Sequence, residues 1–157
     1  MIPLFTPEQV RGFDERAYAG GVRPEALMEL AAGHLARAVL GVGGHGYGLR
    51  VGILCGKGNN GGDGLAAGRR LLDAGAQPRI HLLSGEDGLG EQGVAQLRRY
   101  RAAGGRLVAA AAEVLDGADV AVDCLLGTGV SGEPREPYAT VIGALNDWGT
   151  ARPAVVA

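Results

Sequence analysis

The segment Arg50-Val-Gly-Ile-Leu-Cys-Gly-Lys-Gly-Asn-Asn-Gly-Gly-Asp-Gly64 constrains this chain more than any other. A short apolar run ends in a loop with five glycines in nine residues (Gly56, Gly58, Gly61, Gly62, Gly64), and a helical apolar pattern begins at Leu65. Strand, glycine loop and helix in that order open a βαβ unit. A buried parallel strand there carries free backbone N–H groups to a helix N-terminus, where an anion or polar ligand is favoured. The rest of the chain repeats the alternation. Helices are predicted over 7–19, from Pro24 to about 40, and over 65–74, 91–103 and 137–147, with a helical turn over 110–115. Strands are predicted over 50–55, 78–83, 106–108 and 119–126, and from Pro153 onward. Thr6 caps the first helix and Gly20-Gly21 ends it. Leu27, Ala31, Leu35 and Ala38 form the expected buried face of the second, and 41–48 is a turn-rich connection. Val94, Leu97 and Tyr100 are the expected core residues of the helix over 91–103. Such alternation implies an α/β fold with an open parallel sheet covered by helices on both faces, the two N-terminal helices packing on its flank.

Composition narrows the class. The 157 residues suit one domain, with 15 basic and 17 acidic side chains and a net charge of −2. That balance, with aromatics at 4%, argues against nucleic-acid partners. Cys55 and Cys124 lie far apart, excluding a disulfide scaffold or a zinc ribbon, and two free thiols suit the cytoplasm. The N-terminal stretch carries Glu8, Arg11, Asp14, Glu15 and Arg16 and lacks the apolar core of a secretory signal. Glu29, His34 and Arg37 interrupt the most apolar helix, so no membrane span is expected. Glycine, at 29 residues, is in excess of the usual ~7%. Eight of these lie in two loops, 56–64 and 127–132.

Three features carry chemistry. The loop contains GxGxxG in a dinucleotide-fold context, but the acid expected about twenty residues on is missing, Glu86 being the nearest. No Lys-Ser/Thr pair follows, so it is not a P-loop, and Asp63 would repel a phosphate. Asn59, Asn60 and Asp63 suit a polar ligand or an oxygen-ligated cation. The alternative is a plain turn with Asp63 as helix cap. Asp123 follows Val120-Ala-Val122 at the C-terminal end of an apolar strand, where ligands bind in such sheets; an Asx-turn is its alternative. Gly127-Thr-Gly-Val-Ser-Gly-Glu133 is a second glycine loop at the same edge, so the two can face one crevice. His34 and His81 are read as packing residues, as are the two cysteines, and Trp148 as a core or dimer contact.

The string Gly58-Asn-Asn-Gly-Gly-Asp-Gly64, followed by Val122-Asp-Cys-Leu-Leu-Gly-Thr-Gly129 and preceded by Ala26-Leu-Met-Glu-Leu-Ala-Ala-Gly33, resembles the YjeF N-terminal domain family, the NAD(P)H-hydrate epimerases. The resemblance runs across essentially the whole chain. It implies a Rossmann-like three-layer α/β/α domain, a homodimer, and interconversion of the R and S epimers at C6 of hydrated NADH and NADPH. A dehydratase, fused or separate, then takes the S form. The resemblance also implies that Asn59, Asn60, Gly61, Gly62 and Asp63 contact the hydrated dinucleotide. Gly127, Thr128, Gly129, Val130, Ser131, Gly132 and Glu133 would embrace its pyrophosphate, with Tyr138 a further contact. It implies a potassium ion held by Asn60 and Asp123, and makes Asp63 and Asp123 the available catalytic acids. The family continues its next strand into an Asp-x-Pro-Ser-Gly segment with a further acid. This chain stops at Ala157, so the expectation is one domain over 1–157, C-terminally incomplete and cut before its last site segment. Two other readings stay open: an NAD-dependent dehydrogenase, and a non-catalytic dimeric scaffold or ligand-binding module.

Overall fold

The computed structural model describes residues 5–151 and 154–157. The helices are α1 Pro7–Ala19, α2 Pro24–Gly43, α3 Asn59–Asp73, α4 Glu91–Ala102, α5 Ala111–Leu115 and α6 Tyr138–Ala151. The strands are β1 Arg50–Cys55, β2 Gln77–Leu82, β3 Arg106–Leu107, β4 Val120–Cys124 and β5 Val155–Val156. Pro153, expected to begin the last strand, lies outside the described residues. The strands form one sheet in the order β3-β2-β1-β4-β5, and every neighbouring pair is parallel. The chain leaves β1 toward β2 and β3, then crosses back to place β4 on the other side of β1. β1 and β4 therefore flank the switch point, where the crevice of an open α/β sheet lies.

Period-two alternation divides β1 between two cores. Val51, Ile53 and Cys55 join Leu65, Leu71, Ile80 and Tyr100 under α2, α3 and α4. Leu54 faces the opposite core, with Val114, Leu115, Ala121, Val141 and Leu145 of α5, β4 and α6. Both faces are thus covered, as an all-parallel sheet requires. Trp148 packs at the edge of the second core, as one of its two readings held.

Four expectations need correction. α2 runs on to Gly43 and closes on left-handed Gly44, φ 75°. Its buried residues are Met28, Ala32, Ala36 and Val39, one position on from the expected stripe; Ala31 and Ala38 are exposed. Contact with α3 decides this, since Met28 fills the space over Gly62, where a Cβ would lie 2.7 Å from its methyl carbon. In α4, Val94 is exposed and Gln96 is buried in its place. α1 has no buried residue and does not pack on the sheet. Its start is secured locally: Gln9 N–H donates to Thr6 Oγ1 and Thr6 N–H to Gln9 Oε1, at 3.3 and 2.8 Å.

α2 has the length and mean hydropathy of a membrane-crossing helix, yet it is a layer of this fold. Glu29 on α2 accepts from Arg69 and Arg70 of α3 at 2.7 and 2.8 Å and lies 3.5 Å from Arg99 of α4. Burial pushes the Glu29 carboxyl up, but the hydrogen bonds and charges of Arg69 and Arg70 outweigh it and hold the group below its ordinary value. Glu29→Gln should therefore lower stability by about 1–2 kcal/mol, a partly exposed cluster being worth less than a buried pair. Urea unfolding at pH 7 should show the loss. It should shrink as pH falls through the Glu29 titration, because a depressed carboxyl stabilises only while ionised.

Candidate functional site

The site is built where two strands end side by side. Cys55 and Cys124 are register partners on β1 and β4, and Gly56 N–H donates to the Cys124 carbonyl at 2.9 Å. Both thiols are buried, and that burial pushes their pKa values up, so they are packing groups, as expected. α3 begins directly against these ends. A Cβ at Gly61 would run into the Gly56 carbonyl oxygen. One at Gly64 would lie 2.8 Å from Cys55 Sγ and 2.9 Å from Cys124 Cβ.

This overturns the expected loop over 56–64. The helix starts at Asn59, six residues earlier than predicted, with Gly58 as its N-cap. Asp63 is the fifth helical residue and caps nothing. Glycine in a helix costs about 1 kcal/mol against alanine, a cost tolerated here because only glycine allows this approach. Gly58 offers no side chain to the helix start, so its first N–H groups remain open to a ligand.

The structure brings most of the expected residues together. Asn60 and Asp123 line one cavity of about 330 Å³ with Asp63, Cys124 and His34. The Asn60 amide N–H donates to the Leu126 carbonyl at 3.0 Å, and among the described residues no hydrogen bond reaches Oδ1. Leu125 N–H donates to Asp123 Oδ1 at 2.9 Å, an Asx-turn, and among the described residues no hydrogen bond reaches Oδ2. His34 is exposed, with Nδ1 2.9 Å from Arg37 Nη2; the reading of it as a packing residue fails because it lies at the open rim of this cavity. His81 Nδ1 lies 3.2 Å from the Val108 carbonyl, a structural contact.

A second cavity, about 500 Å³, joins Gly58, Asn59, Asn60 and Asp63 to Gly127, Thr128, Gly129 and Val130, with Pro7, Arg11 and Asp14 of α1 closing it. The glycine-rich start of α3 and the loop after β4 thus face one crevice. The second loop is divided, however. Ser131, Gly132 and Glu133 turn with Val130 into a separate cleft of about 720 Å³ beside Lys57 and Tyr138. Tyr138 Oη accepts from Lys57 N–H at 3.4 Å and lies 3.0 Å from Ser84 Oγ, tying the loops after β1 and β2 to α6. Gly61 and Gly62 are buried in helix packing and line none of these cavities.

A third cavity, about 260 Å³, lies between the starts of α2, α3 and α4 and the flank of α1. Asp63 lines all three cavities. Burial first, and then the charge of Asp14, push its carboxyl up to about 7. Asp63 can therefore hold or release a proton near neutral pH, as a general acid–base must. The sequence reading missed Arg11, Asp14 and Gln92. Only the tertiary placement of α1 and α4 brings them here, though the polar stripe Pro7, Arg11, Asp14, Tyr18 is visible at helical spacing. A cavity of about 500 Å³ at the opposite sheet edge, among Arg50, Arg79 and Arg106, is remote from both loops.

Known proteins resemble this chain along most of its length. The sequence profile described as YjeF-related protein N-terminus matches residues 24–157. A bifunctional NAD(P)H-hydrate repair enzyme Nnr of Thermanaerovibrio acidaminovorans is 38% identical over 148 residues, covering 90% of this chain and 28% of that protein. An NAD(P)H-hydrate epimerase of Phaeosphaeria nodorum is 37% identical over 132 residues, 81% of this chain and 52% of the relative. The chain thus spans between about a quarter and a half of the length of these relatives. The crystal structure of yeast ynu0 superposes with a TM-score of 0.83 over 99% of this chain and 70% of that one, at 21% identity, which speaks for the fold alone. With the profile covering all but the first helix and its approach, this chain belongs to the family of YjeF-related protein N-termini.

Proposed function

We propose that this chain epimerises hydrated NADH and NADPH at C6, a metabolite-repair isomerase acting in the cytoplasm. The reading is supported most by one observation: the open α3 N-terminus, Asp63 and the 127–130 loop line a single crevice at the switch point, in a chain whose relatives include a protein named NAD(P)H-hydrate epimerase. The family resemblance further supports a homodimer and a dehydratase, fused or separate, that consumes the S epimer.

The hydrate is a carbinolamine: C6 carries a hydroxyl and the ring nitrogen. Protonated Asp63 gives its proton to that hydroxyl, water leaves, and the nitrogen lone pair holds C6 as a planar iminium. Water returns to the other face and gives its proton back to Asp63, so atoms and charge balance. The Asp123 carboxyl group, at the end of the neighbouring strand, stabilises the cation while it lasts. The N–H groups of the Gly127-Thr128-Gly129 turn receive the pyrophosphate, and the start of α3 contacts the rest of the dinucleotide. Asn60 Oδ1 and Asp123 Oδ2, both without a hydrogen bond among the described residues and lining one cavity, fit a hard cation such as potassium. Bound there, potassium would supply a fixed positive charge that anchors loops and ligand.

The test starts from the pure S epimer of hydrated NADPH with the two epimers resolved by chromatography. The chain should bring R and S to equilibrium well ahead of the spontaneous reaction, and potassium should speed this. Asp123→Ala should abolish the potassium response. Epimerisation no faster than in buffer would remove the assignment. Hydride transfer to added substrates would favour a dehydrogenase instead.

A further inference from the structure

The starts of the strands, at the far end of the sheet from the switch-point crevice, gather three arginines. Arg50 opens β1, Arg79 lies in β2 and Arg106 opens β3. Period-two alternation puts all three on one face of the sheet, because Val51, Ile80 and Leu107 beside them belong to the core under α2, α3 and α4. They line a cavity of about 500 Å³ together with Asp116 and Gly117, which follow α5. The length of β1, six residues at about 3.3 Å each, separates this cavity from the crevice.

The three charges are not balanced alike. Arg50 is held by Asp119, Nη2 donating to Oδ1 at 2.5 Å and Nε to Oδ2 at 3.0 Å. Arg79 donates only to the Asp116 backbone carbonyl. Arg106 has neither an ion pair nor a side-chain hydrogen bond among the described residues. Yet Arg79 and Arg106 are register partners on neighbouring strands, which lie about 4.8 Å apart. Like charges side by side repel, and an anion between them turns that repulsion into attraction. The rest of the lining differs in kind. Leu72, Ala76 and Pro78 form an apolar wall. Gln77 and Asp116 add polar side chains, and among the described residues no side-chain hydrogen bond reaches either.

We propose that this cavity is a second ligand site, for a sugar phosphate that carries one flat ring, a nucleoside monophosphate in size and chemistry. A phosphomonoester brings about −1.5 to −2 charge, which answers two unpaired guanidiniums, whereas a carboxylate answers one. The sugar hydroxyls donate to the Asp116 carboxylate and to Gln77, and the ring lies on Leu72, Ala76 and Pro78. The volume is within the range of small-ligand clefts. No residue of the crevice lines this site, so it stands or falls apart from the epimerase reading.

Calorimetry on the full chain with AMP, ribose 5-phosphate and inorganic phosphate tests each part. Affinity should fall in that order, about tenfold or more from AMP to phosphate. Arg106→Gln should weaken AMP about tenfold or more, while Arg98→Gln, at an exposed arginine of α4 that does not line the cavity, should stay within about twofold. Arg106→Glu should abolish AMP binding and raise the urea midpoint in phosphate-free buffer, because the introduced carboxylate pairs with Arg79; that rise also shows that the variant folds. AMP is half of a dinucleotide and could enter the crevice instead. Binding that is untouched by both Arg106 variants would place it there and overturn the second site. No binding of AMP, or equal affinity for AMP and phosphate, would overturn the ligand class. A lowered midpoint for Arg106→Glu would remove the repulsion on which the site is argued.

Discussion

Gly61→Ala is expected to cost at least about 3 kcal/mol of stability, much of what holds a domain of this size together. The added methyl has nowhere to go: the obstacle is the carbonyl oxygen of Gly56, which is backbone at the end of the central strand. Side chains can swing away from an overlap, but here α3 would have to lift off β1 and lose the packing of Leu65 and Leu71, both fully buried. The same substitution at Gly143 supplies the contrast. That residue lies on the exposed face of α6, with no atom within 4 Å of an added Cβ, so alanine there should gain up to about 1 kcal/mol. Urea midpoints of the two variants should move in opposite directions. An unchanged midpoint for Gly61→Ala would mean that α3 does not start against the strand end.

Asp63→Asn should reduce the proposed epimerisation by about 10²–10⁴-fold, the usual contribution of a positioned acid–base group. Stability should respond the other way. With the folded carboxyl raised from 3.8 to about 7, the folded chain retains a proton that the unfolded chain has released between those values. Stability of the unmodified protein therefore falls as pH rises from about 4 to about 7, then levels off. Asparagine cannot ionise, so the variant should gain on the parent over that interval and hold its advantage at pH 8. Unfolding curves at pH 5 and pH 8 measure this directly. A variant that is inactive but no more stable at pH 8 than at pH 5, relative to the parent, would place the proton elsewhere. A variant with full activity would remove Asp63 from the chemistry.

Much of the architecture was legible because local signals agreed. Thr6, Pro7 and Gln9 specify the start of α1, and the predicted span 7–19 is the observed one. The run 50–55 is β1 without adjustment. Discrepancies arose where one signal had two physical meanings. Asn-Gly and Gly-Gly-Asp-Gly are turn formers in isolation, yet residues 59–64 are helical, because the ends of β1 and β4 leave room for a helix whose facing positions, Gly61 and Gly64, carry no side chain. The α2 stripe was misplaced by one residue because Leu27, Ala31, Leu35 and Ala38 are as apolar as their neighbours. Partner α3, through Met28 over Gly62, chose between them. Asp123 shows that the alternatives need not exclude each other: one oxygen makes the Asx-turn, and among the described residues no hydrogen bond reaches the other.

The amino-acid order alone determined the α/β alternation, the parallel sheet and the presence of two glycine-rich segments at its C-terminal edge. Those follow from periodicity and turn chemistry, which act within a few residues. Tertiary structure decided what the glycines are for. Gly56, Gly61 and Gly64 are the surface over which a helix meets two strand ends, and Gly127 and Gly129 line the crevice. It also decided the environment of Asp63, whose burial and nearness to Asp14 set its proton affinity. Those two acids are 49 positions apart, and only the tertiary placement of α1 beside the start of α3 brings them to one cavity. Burial and close approach are properties of distant segments meeting, so no local pattern can carry them.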